Sequence, residues 1–245
     1  MILITMAGAS KRFSQQGFKQ PKYMLPLWGG TVFDFVLKSF EHYFKTEKFI
    51  FAVRQNEDLI SFVQSRIQLA GLLDYQIVPI THLTKGQAHT AFLALEKVAF
   101  THDEELLIFN IDTLRPHFRM PDVLDISGWL ETFRADGDHW SFVLPSTIMR
   151  DSVEKVVEKV RISDFCSTGA YWFDSANTFK DAYNSGKSEF SNLKEEFVAP
   201  LYNLIIRGGK KVAHSTKDAG IVLLCGTPAE YRNLLENPKF IQKYD

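Results

Sequence analysis

The chain has 245 residues, of which 45% are hydrophobic and 23% are charged, as in an ordinary globular protein. Its net charge of −1 gives no electrostatic case for a nucleic-acid partner. The N-terminal apolar run has no basic segment before it and is too short to span a bilayer, so we expect neither a signal peptide nor a membrane anchor. The two cysteines, Cys166 and Cys225, lie in apolar runs, where we expect reduced core thiols of a cytoplasmic protein.

Strand-like and helix-like segments alternate through the first half of the chain. The predicted elements are, in order, strand 2–6, helix 32–44, strand 48–53, helix 57–69, strand 76–80, helix 87–98 and strand 105–110. This order predicts an α/β fold: a three-layer, Rossmann-like, mostly parallel sheet with helices on both faces. Ligands of such sheets bind beyond the carboxyl ends of the strands.

The second half is less regular. The predicted strands are 140–144, 153–160, 170–173, 211–213 and 221–225, and the predicted helices are 175–183 and 195–206. Residues 113–127 contain two prolines and are predicted to form an irregular excursion. Because the sequence has neither an internal repeat nor a linker, we predict a single domain over residues 1–245.

Small residues follow the first strand and leave its backbone N–H groups accessible. The loop consists of Met6, Ala7, Gly8, Ala9 and Ser10. Small side chains let backbone N–H groups approach a phosphate chain. Arg12 and Lys22 add positive charge, one as a planar fork and one as a point charge. A lone glycine would suggest an ordinary turn, and the loop matches neither a P-loop nor a dinucleotide-binding fingerprint. The combination of a strand, a loop of small residues and two cations nevertheless predicts a nucleoside triphosphate site.

The segment MAGASKRF at 6–13, followed by Pro21-Lys22-Tyr23, resembles the signature loop of the sugar-phosphate nucleotidyltransferases, the nucleoside-diphosphate-sugar pyrophosphorylase-like family. The usual pattern is G-x-G-T-R-[FL] followed by P-K, and here Ala9-Ser10-Lys11 stands in place of x-G-T. The resemblance implies a GT-A-like fold and an enzyme that transfers a nucleoside monophosphate from an NTP to a phosphorylated acceptor, releasing pyrophosphate. It also implies that Arg12 binds the departing phosphates and that Lys22 bridges the α-phosphate and the acceptor phosphate.

Asp112 follows the predicted strand 105–110 and is the candidate ligand for Mg²⁺. Mg²⁺ takes one or two carboxylates and completes its shell with phosphate oxygens and water. An Asp at this place would otherwise cap a turn, but the family resemblance favours a metal ligand. The family's second metal Asp would fall two residues before Gly226, where this chain has Leu224. Asp112 therefore holds the metal alone with phosphates, or another group such as Asp218 substitutes, or catalysis is impaired.

Two further segments resemble parts of the family's substrate site. The segment Lys85-Gly86-Gln87 lies at the start of a predicted helix. The resemblance implies that this segment and Asn110 lie beside the nucleotide, and the alternative is an ordinary glycine-containing loop before a helix. Thr168-Gly169 resembles a family segment at which the acceptor approaches the backbone closely.

The acceptor pair has two possible registers. Glu158-Lys159 resembles the family's E-K pair, in which Glu158 would accept hydrogen bonds from the acceptor and Lys159 would hold its phosphate. Glu154-Lys155 fits the same pattern, and strict strand alternation would put Glu154 and Glu158 on one face. The spacing to Thr168 favours the later pair, although alternating charges on an edge strand are also typical of a solvated face.

The sequence thus predicts a Mg²⁺-dependent nucleotidyltransferase with a nucleotide-binding half at about 1–115 and an acceptor-binding half at about 116–245. Its expected partners are an NTP and a phosphorylated small molecule, such as a sugar 1-phosphate or a related precursor of capsule or lipopolysaccharide, and a homo-oligomer is possible. Two other classes stay open. A GT-A-type glycosyltransferase would need a D-x-D motif, of which only Asn110-Ile111-Asp112 is present, and Leu224 motivates a non-catalytic nucleotide-binding module.

Overall fold

One central sheet organises the protein, and we describe it from a computed structural model that covers residues 1–122, 125–149, 151–190 and 193–244. The strands are β1 (Ile2–Met6), β2 (Pro26–Leu27), β3 (Gly30–Thr31), β4 (Phe49–Arg54), β5 (Tyr75–Ile80), β6 (Leu106–Asn110), β7 (Thr113–Leu114), β8 (Gly128–Arg134), β9 (Ser141–Pro145), β10 (Val153–Glu158), β11 (Phe165–Phe173), β12 (Val212–Thr216) and β13 (Leu223–Leu224). The helices are α1 (Lys11–Ser14), α2 (Val32–Lys38), α3 (Glu57–Ala70), α4 (Gln87–Leu95), α5 (Ala176–Ser185), α6 (Tyr202–Arg207) and α7 (Pro228–Glu236). No helix in these described ranges is long and apolar enough to cross a membrane.

Nine strands form one mixed sheet across both halves of the chain. In its parallel part, β1 lies between β4 and β6, and β5 follows β4 at the edge. Strand β11 runs antiparallel beside β6 and pairs along its other edge with β8, which carries β12. Strand β9 also pairs with β11, and β10 lies outside β9. The predicted Rossmann-like α/β fold is confirmed.

Both faces of the parallel strands are buried, which explains their continuous apolar sequences. In β1, Ile2, Ile4 and Met6 pack into a core that includes apolar side chains of α2, α3 and α7. Leu3 points to the opposite face and packs into a second core with α4, α5 and α6. This alternation has the period of two that a strand requires, and it holds β1 between two helical layers with its carboxyl end open.

Strand β8 was missed by the sequence analysis because polar residues interrupt it. Glu131 lies in its middle and is fully buried, and Thr132 follows it. The guanidinium of Arg115 donates two hydrogen bonds of 2.9 Å to the Glu131 carboxylate, which compensates the buried charge. Burial raises the pKa of Glu131, and Arg115 acts in the opposite direction.

Several predicted boundaries are wrong. The helix predicted at 32–44 ends at Lys38, where Ser39 donates its hydroxyl hydrogen bond to the Phe35 carbonyl oxygen. The helix predicted at 195–206 is reduced to a 3₁₀ turn, Ala199–Leu201, and α6. Helix α7 was not predicted, and the excursion at 113–127 contains β7, while its residues 123 and 124 lie outside the described residues.

The late segment of the chain returns to the first half. Strand β13 pairs antiparallel with β7, which follows Asp112 directly. Helix α7 packs on α1 and β2, where the centre of the Tyr231 ring lies 6.3 Å from that of the Phe13 ring and the Tyr231 hydroxyl donates to the Pro26 carbonyl oxygen. Residues after 220 therefore build the edge of the predicted nucleotide-binding half, although the sequence analysis assigned them to the acceptor-binding half.

Candidate active site

The loop after β1 lies open at the carboxyl edge of the sheet. Met6 and Ala7 are buried, whereas Gly8 is exposed. Thr5 pairs with Asn110, so this loop runs beside the residues that follow β6. A Cβ atom placed on Gly8 would meet no atom of the described residues within 4 Å. The packing of the protein itself therefore does not require a glycine here, and the space beside the backbone is free for a ligand.

Lys22 and Asp112 come together at this edge from 90 residues apart in sequence. The Lys22 ammonium donates to Asp112 Oδ2 at 2.5 Å, and the side chains are 18% and 25% exposed. Arg12 lies on α1 directly after the loop, is exposed, and makes no hydrogen bond or ion pair with the described residues. The structure thus joins two of the three predicted catalytic residues, while the exposed Arg12 side chain has no such partner among the described residues.

Glu230 is a carboxylate of this site that the sequence analysis missed. The Cys225 N–H group donates to the Asp112 carbonyl oxygen at 2.7 Å, which puts Gly226 beside Asp112. A Cβ atom on Gly226 would stand 3.1 Å from Asp112 Oδ2 and 3.4 Å from Glu230 Oε2, so the two oxygens are no farther apart than these distances together. The sequence T-P-A-E at 227–230 is a capping-box signature that could have drawn attention to this carboxylate.

The other late acidic candidate lies elsewhere. Asp218 accepts a 2.6 Å hydrogen bond from the Gly220 N–H group and caps the short turn at Ala219–Ile221. It makes no contact with Asp112 among those the structure describes. Cys225, by contrast, is next to the site but inert as a thiol, because burial and then the charge of Asp112 raise its pKa to about 12.

Backbone contacts clamp the predicted nucleotide loop at residues 85–87. The Glu196 N–H group donates to the Lys85 carbonyl oxygen, and Ala88 donates back to the Glu196 carbonyl oxygen, both at 2.9 Å. A Cβ atom on Gly86 would lie 2.5 Å from that same oxygen, so only glycine permits this approach. The Lys85 ammonium is 3.7 Å from the Glu196 carboxylate and remains largely exposed.

Gln87 and Asn110 meet where the two halves of the sheet join. Gln87 Nε2 donates to Asn110 Oδ1 at 2.5 Å. Gly169 has a φ of +92°, and a Cβ atom there would stand only 2.2 Å from Asn110 Nδ2. Gly169 therefore lets β11 approach Asn110 closely. Thr168 is buried, and its hydroxyl group donates a hydrogen bond to Glu131 Oε2 at 3.2 Å in the protein interior.

Glu158 and Lys159 form a pair at the end of the edge strand β10. Glu158 is only 6% exposed, and Ser141 donates a hydrogen bond to its carboxylate. Burial raises the pKa of Glu158, and the Ser141 hydrogen bond opposes this shift. The Lys159 ammonium lies 3.7 Å from Glu158 Oε1 and 4.2 Å from the centre of the Phe197 ring.

The expected alternation along β10 is wrong. The register with β9 shifts between Val153 and Lys155, so a bulge falls at Glu154. Glu154 and Lys155 are exposed, whereas Glu158 is buried. The two acidic residues therefore do not share an environment, and only the later pair has a buried carboxylate.

The chain is similar over its whole length to solved nucleotidyltransferases. It is 37% identical to a nucleoside-diphosphate-sugar pyrophosphorylase from Vibrio cholerae RC9, covering 96% of this chain and 100% of that one, with a TM-score of 0.92. The chain belongs to the nucleoside-diphosphate-sugar pyrophosphorylase family. It is therefore a nucleotidyltransferase.

More distant structures share the fold. The inositol-1-phosphate CTP transferase from T. maritima has a TM-score of 0.73 at 17% identity, covering 97% of this chain and 95% of that one. A UDP-glucose pyrophosphorylase complexed with UDP-glucose has a TM-score of 0.74 at 14% identity, covering 99% and 98%. No protein-family model and no curated protein matches the chain.

Proposed function

We propose that the protein transfers a nucleoside monophosphate from an NTP to a sugar 1-phosphate, or to a related phosphorylated precursor of capsule or lipopolysaccharide, in a Mg²⁺-dependent reaction. The observation that carries this proposal is the contact of Lys22 with Asp112 beside the open loop at Gly8. It puts a cation and a carboxylate where a triphosphate would meet the carboxyl end of β1.

The residues at this edge fit a Mg²⁺ ion. Asp112 offers hard carboxylate oxygens and is 25% exposed, and Gly226 leaves free the space next to Oδ2 that a side chain would fill. Mg²⁺ needs few protein ligands because phosphate oxygens and water complete its shell. Bound there, the ion would neutralise charge on the transferring phosphate. Asp112 would hold it.

Lys22 has a different role in this reaction. In the free protein it neutralises Asp112, and on NTP binding its flexible ammonium group would turn to the α-phosphate and the incoming acceptor phosphate. Arg12, unpaired on α1, would bind the β- and γ-phosphates that leave as pyrophosphate. An anionic acceptor needs no strong general base, so positioning and charge neutralisation supply the rate acceleration.

The acceptor would lie against the second half of the sheet. The buried Glu158 carboxylate suits hydrogen bonds from sugar hydroxyls, and Lys159 suits the acceptor phosphate. The Vibrio cholerae relative, named as a nucleoside-diphosphate-sugar pyrophosphorylase, supports a sugar-phosphate acceptor. Gln87 and Asn110 would lie beside the nucleotide. Gly169 would let the acceptor approach the backbone of β11 closely. We place the reaction in the cytoplasm, in keeping with two buried free thiols, and a homo-oligomer stays a prediction.

A pyrophosphate-release screen tests this function. Purified protein is incubated with Mg²⁺, each of the four NTPs and a panel of phosphorylated acceptors, with Asp112→Asn as the matched control. We expect release that requires both an acceptor and Mg²⁺, and none from Asp112→Asn, which should still bind nucleotide without metal. Release without any acceptor, or full activity of Asp112→Asn, would contradict the proposal.

A further inference from the structure

The metal site that the proposed function requires has only one carboxylate where the family resemblance implies two. Leu224 offers no ligand atom at the second position, and Asp218 is engaged with Gly220. Asp112 is itself neutralised by Lys22. The cation would therefore have one carboxylate fewer around it than the family resemblance implies.

Glu230 approaches the same space from α7. Its Oε2 atom and Asp112 Oδ2 both lie within 3.4 Å of the point where a Gly226 side chain would begin. Two contacts of Tyr231 fix the position of α7 relative to α1 and β2. Its ring packs against Phe13, and its hydroxyl donates a hydrogen bond to the Pro26 carbonyl oxygen. Gly226 thus separates two carboxylates without filling the space that they face.

The contacts of Glu230 leave it free to serve a cation. Its Oε2 atom accepts a 2.8 Å hydrogen bond from the Thr227 N–H group, and Thr227 Oγ1 accepts one from the Glu230 N–H group at 3.2 Å. This capping box fixes the direction of the side chain. No hydrogen bond within the described residues uses Oε1, and a carboxylate has lone pairs for several partners.

We propose that Glu230 supplies the second negative charge for the divalent cation, in place of an acidic residue at position 224. It does so as a direct ligand or through a metal-bound water, since Mg²⁺ usually keeps several waters. The assignment rests on the proposed function. With Lys22 turned to the phosphates, Asp112 and Glu230 would together hold the cation.

Substitution by Gln separates this role from helix capping. Glu230→Gln keeps an oxygen that can accept the Thr227 hydrogen bond and removes only the charge. Thr227→Ala is the matched control, because it removes the other half of the capping box and leaves the carboxylate in place. The double variant Leu224→Asp/Glu230→Gln restores a carboxylate at the family position.

The experiment measures binding of the four α,β-methylene nucleoside triphosphates by calorimetry, without metal and with Mn²⁺. Mn²⁺ should tighten nucleotide binding to the wild-type protein, and Glu230→Gln should reduce this tightening by about 10- to 100-fold while metal-free affinity stays the same or rises slightly. Thr227→Ala should lower the melting temperature and keep the tightening, and the double variant should regain it.

The outcomes distinguish the two proposals. If Glu230→Gln reduces the Mn²⁺-dependent tightening by less than about threefold, or if Thr227→Ala reduces it equally, Glu230 only caps α7 and the inference is overturned while the proposed function stands. If the wild-type protein binds no nucleotide with or without Mn²⁺, the proposed function falls and the assignment of Glu230 falls with it.

Discussion

Replacing Lys22 with Ala separates catalysis from stability most clearly. The ion pair with Asp112 is short at 2.5 Å, but both side chains are partly exposed. Water screens such a pair, so its loss should cost at most about 1 kcal/mol of folding free energy. In the reaction the same ammonium would face charge that builds on the α-phosphate. Loss of one preorganised contact of this kind typically reduces turnover about 10²- to 10³-fold, or about 2.7–4 kcal/mol.

The assay is pyrophosphate release at saturating NTP and acceptor, together with a thermal melt of each variant. Lys19→Ala is the matched control, because Lys19 lies three residues before Lys22, is exposed, and forms no side-chain hydrogen bond or ion pair with the described residues. We expect Lys19→Ala to keep full turnover. If Lys22→Ala is folded and turns over within about threefold of the wild-type rate, far from the loss expected of a preorganised contact, the role given to Lys22 is wrong.

Three further predictions concern the loop and the acceptor pair. Gly8→Ala should weaken NTP binding about tenfold, because a methyl group fills the ligand's space, yet melt at the same temperature or higher, since Ala restricts the unfolded chain; titration and melting of one sample check both. Lys159→Ala should raise the acceptor KM without changing the NTP KM, whereas Lys155→Ala should behave as a surface change within about 0.5 kcal/mol of stability; the reverse result would move the pair to the earlier register. Since burial raises the pKa of Glu158, its carboxylate is lost at a higher pH than usual as the pH falls, so the acceptor KM should rise over that range, and Glu158→Gln should lack this dependence.

The parallel half of the fold was predictable because its signals are local. Each strand is a short apolar run, and each helix has apolar residues at helical spacing. Topology then places the loop at Gly8 and the residues after β6 at one edge, since β1 and β6 are parallel neighbours. The roles predicted for Lys22 and Asp112 followed from this edge and from the family resemblance, whereas their direct contact was not predicted.

The features that were missed depend on contacts between distant residues. Glu131 interrupts the apolar pattern of β8, and its burial is compensated by the hydrogen bonds from Arg115. The bulge at Glu154 arises from the register with β9, which period two alone does not contain. The local sequence around Glu230 predicts only a helix cap, and the pairing of β13 with β7 is what brings Glu230 close to Asp112. Long-range pairing, rather than local propensity, decided each of these positions.

Four glycines lie at the site, and protein packing explains only two of them. At Gly86 a side chain would collide with the backbone of Glu196, and at Gly169 with Asn110, so the packing of the protein explains both. Within the part of the chain that the structure describes, a Cβ atom at Gly8 would meet nothing, and at Gly226 its nearest neighbours would be the carboxylates of Asp112 and Glu230. The fold gives no packing reason for a glycine at Gly8 and only a side-chain contact at Gly226. Substrate phosphates and a divalent cation would supply that reason, because both must approach closer than a methyl group allows.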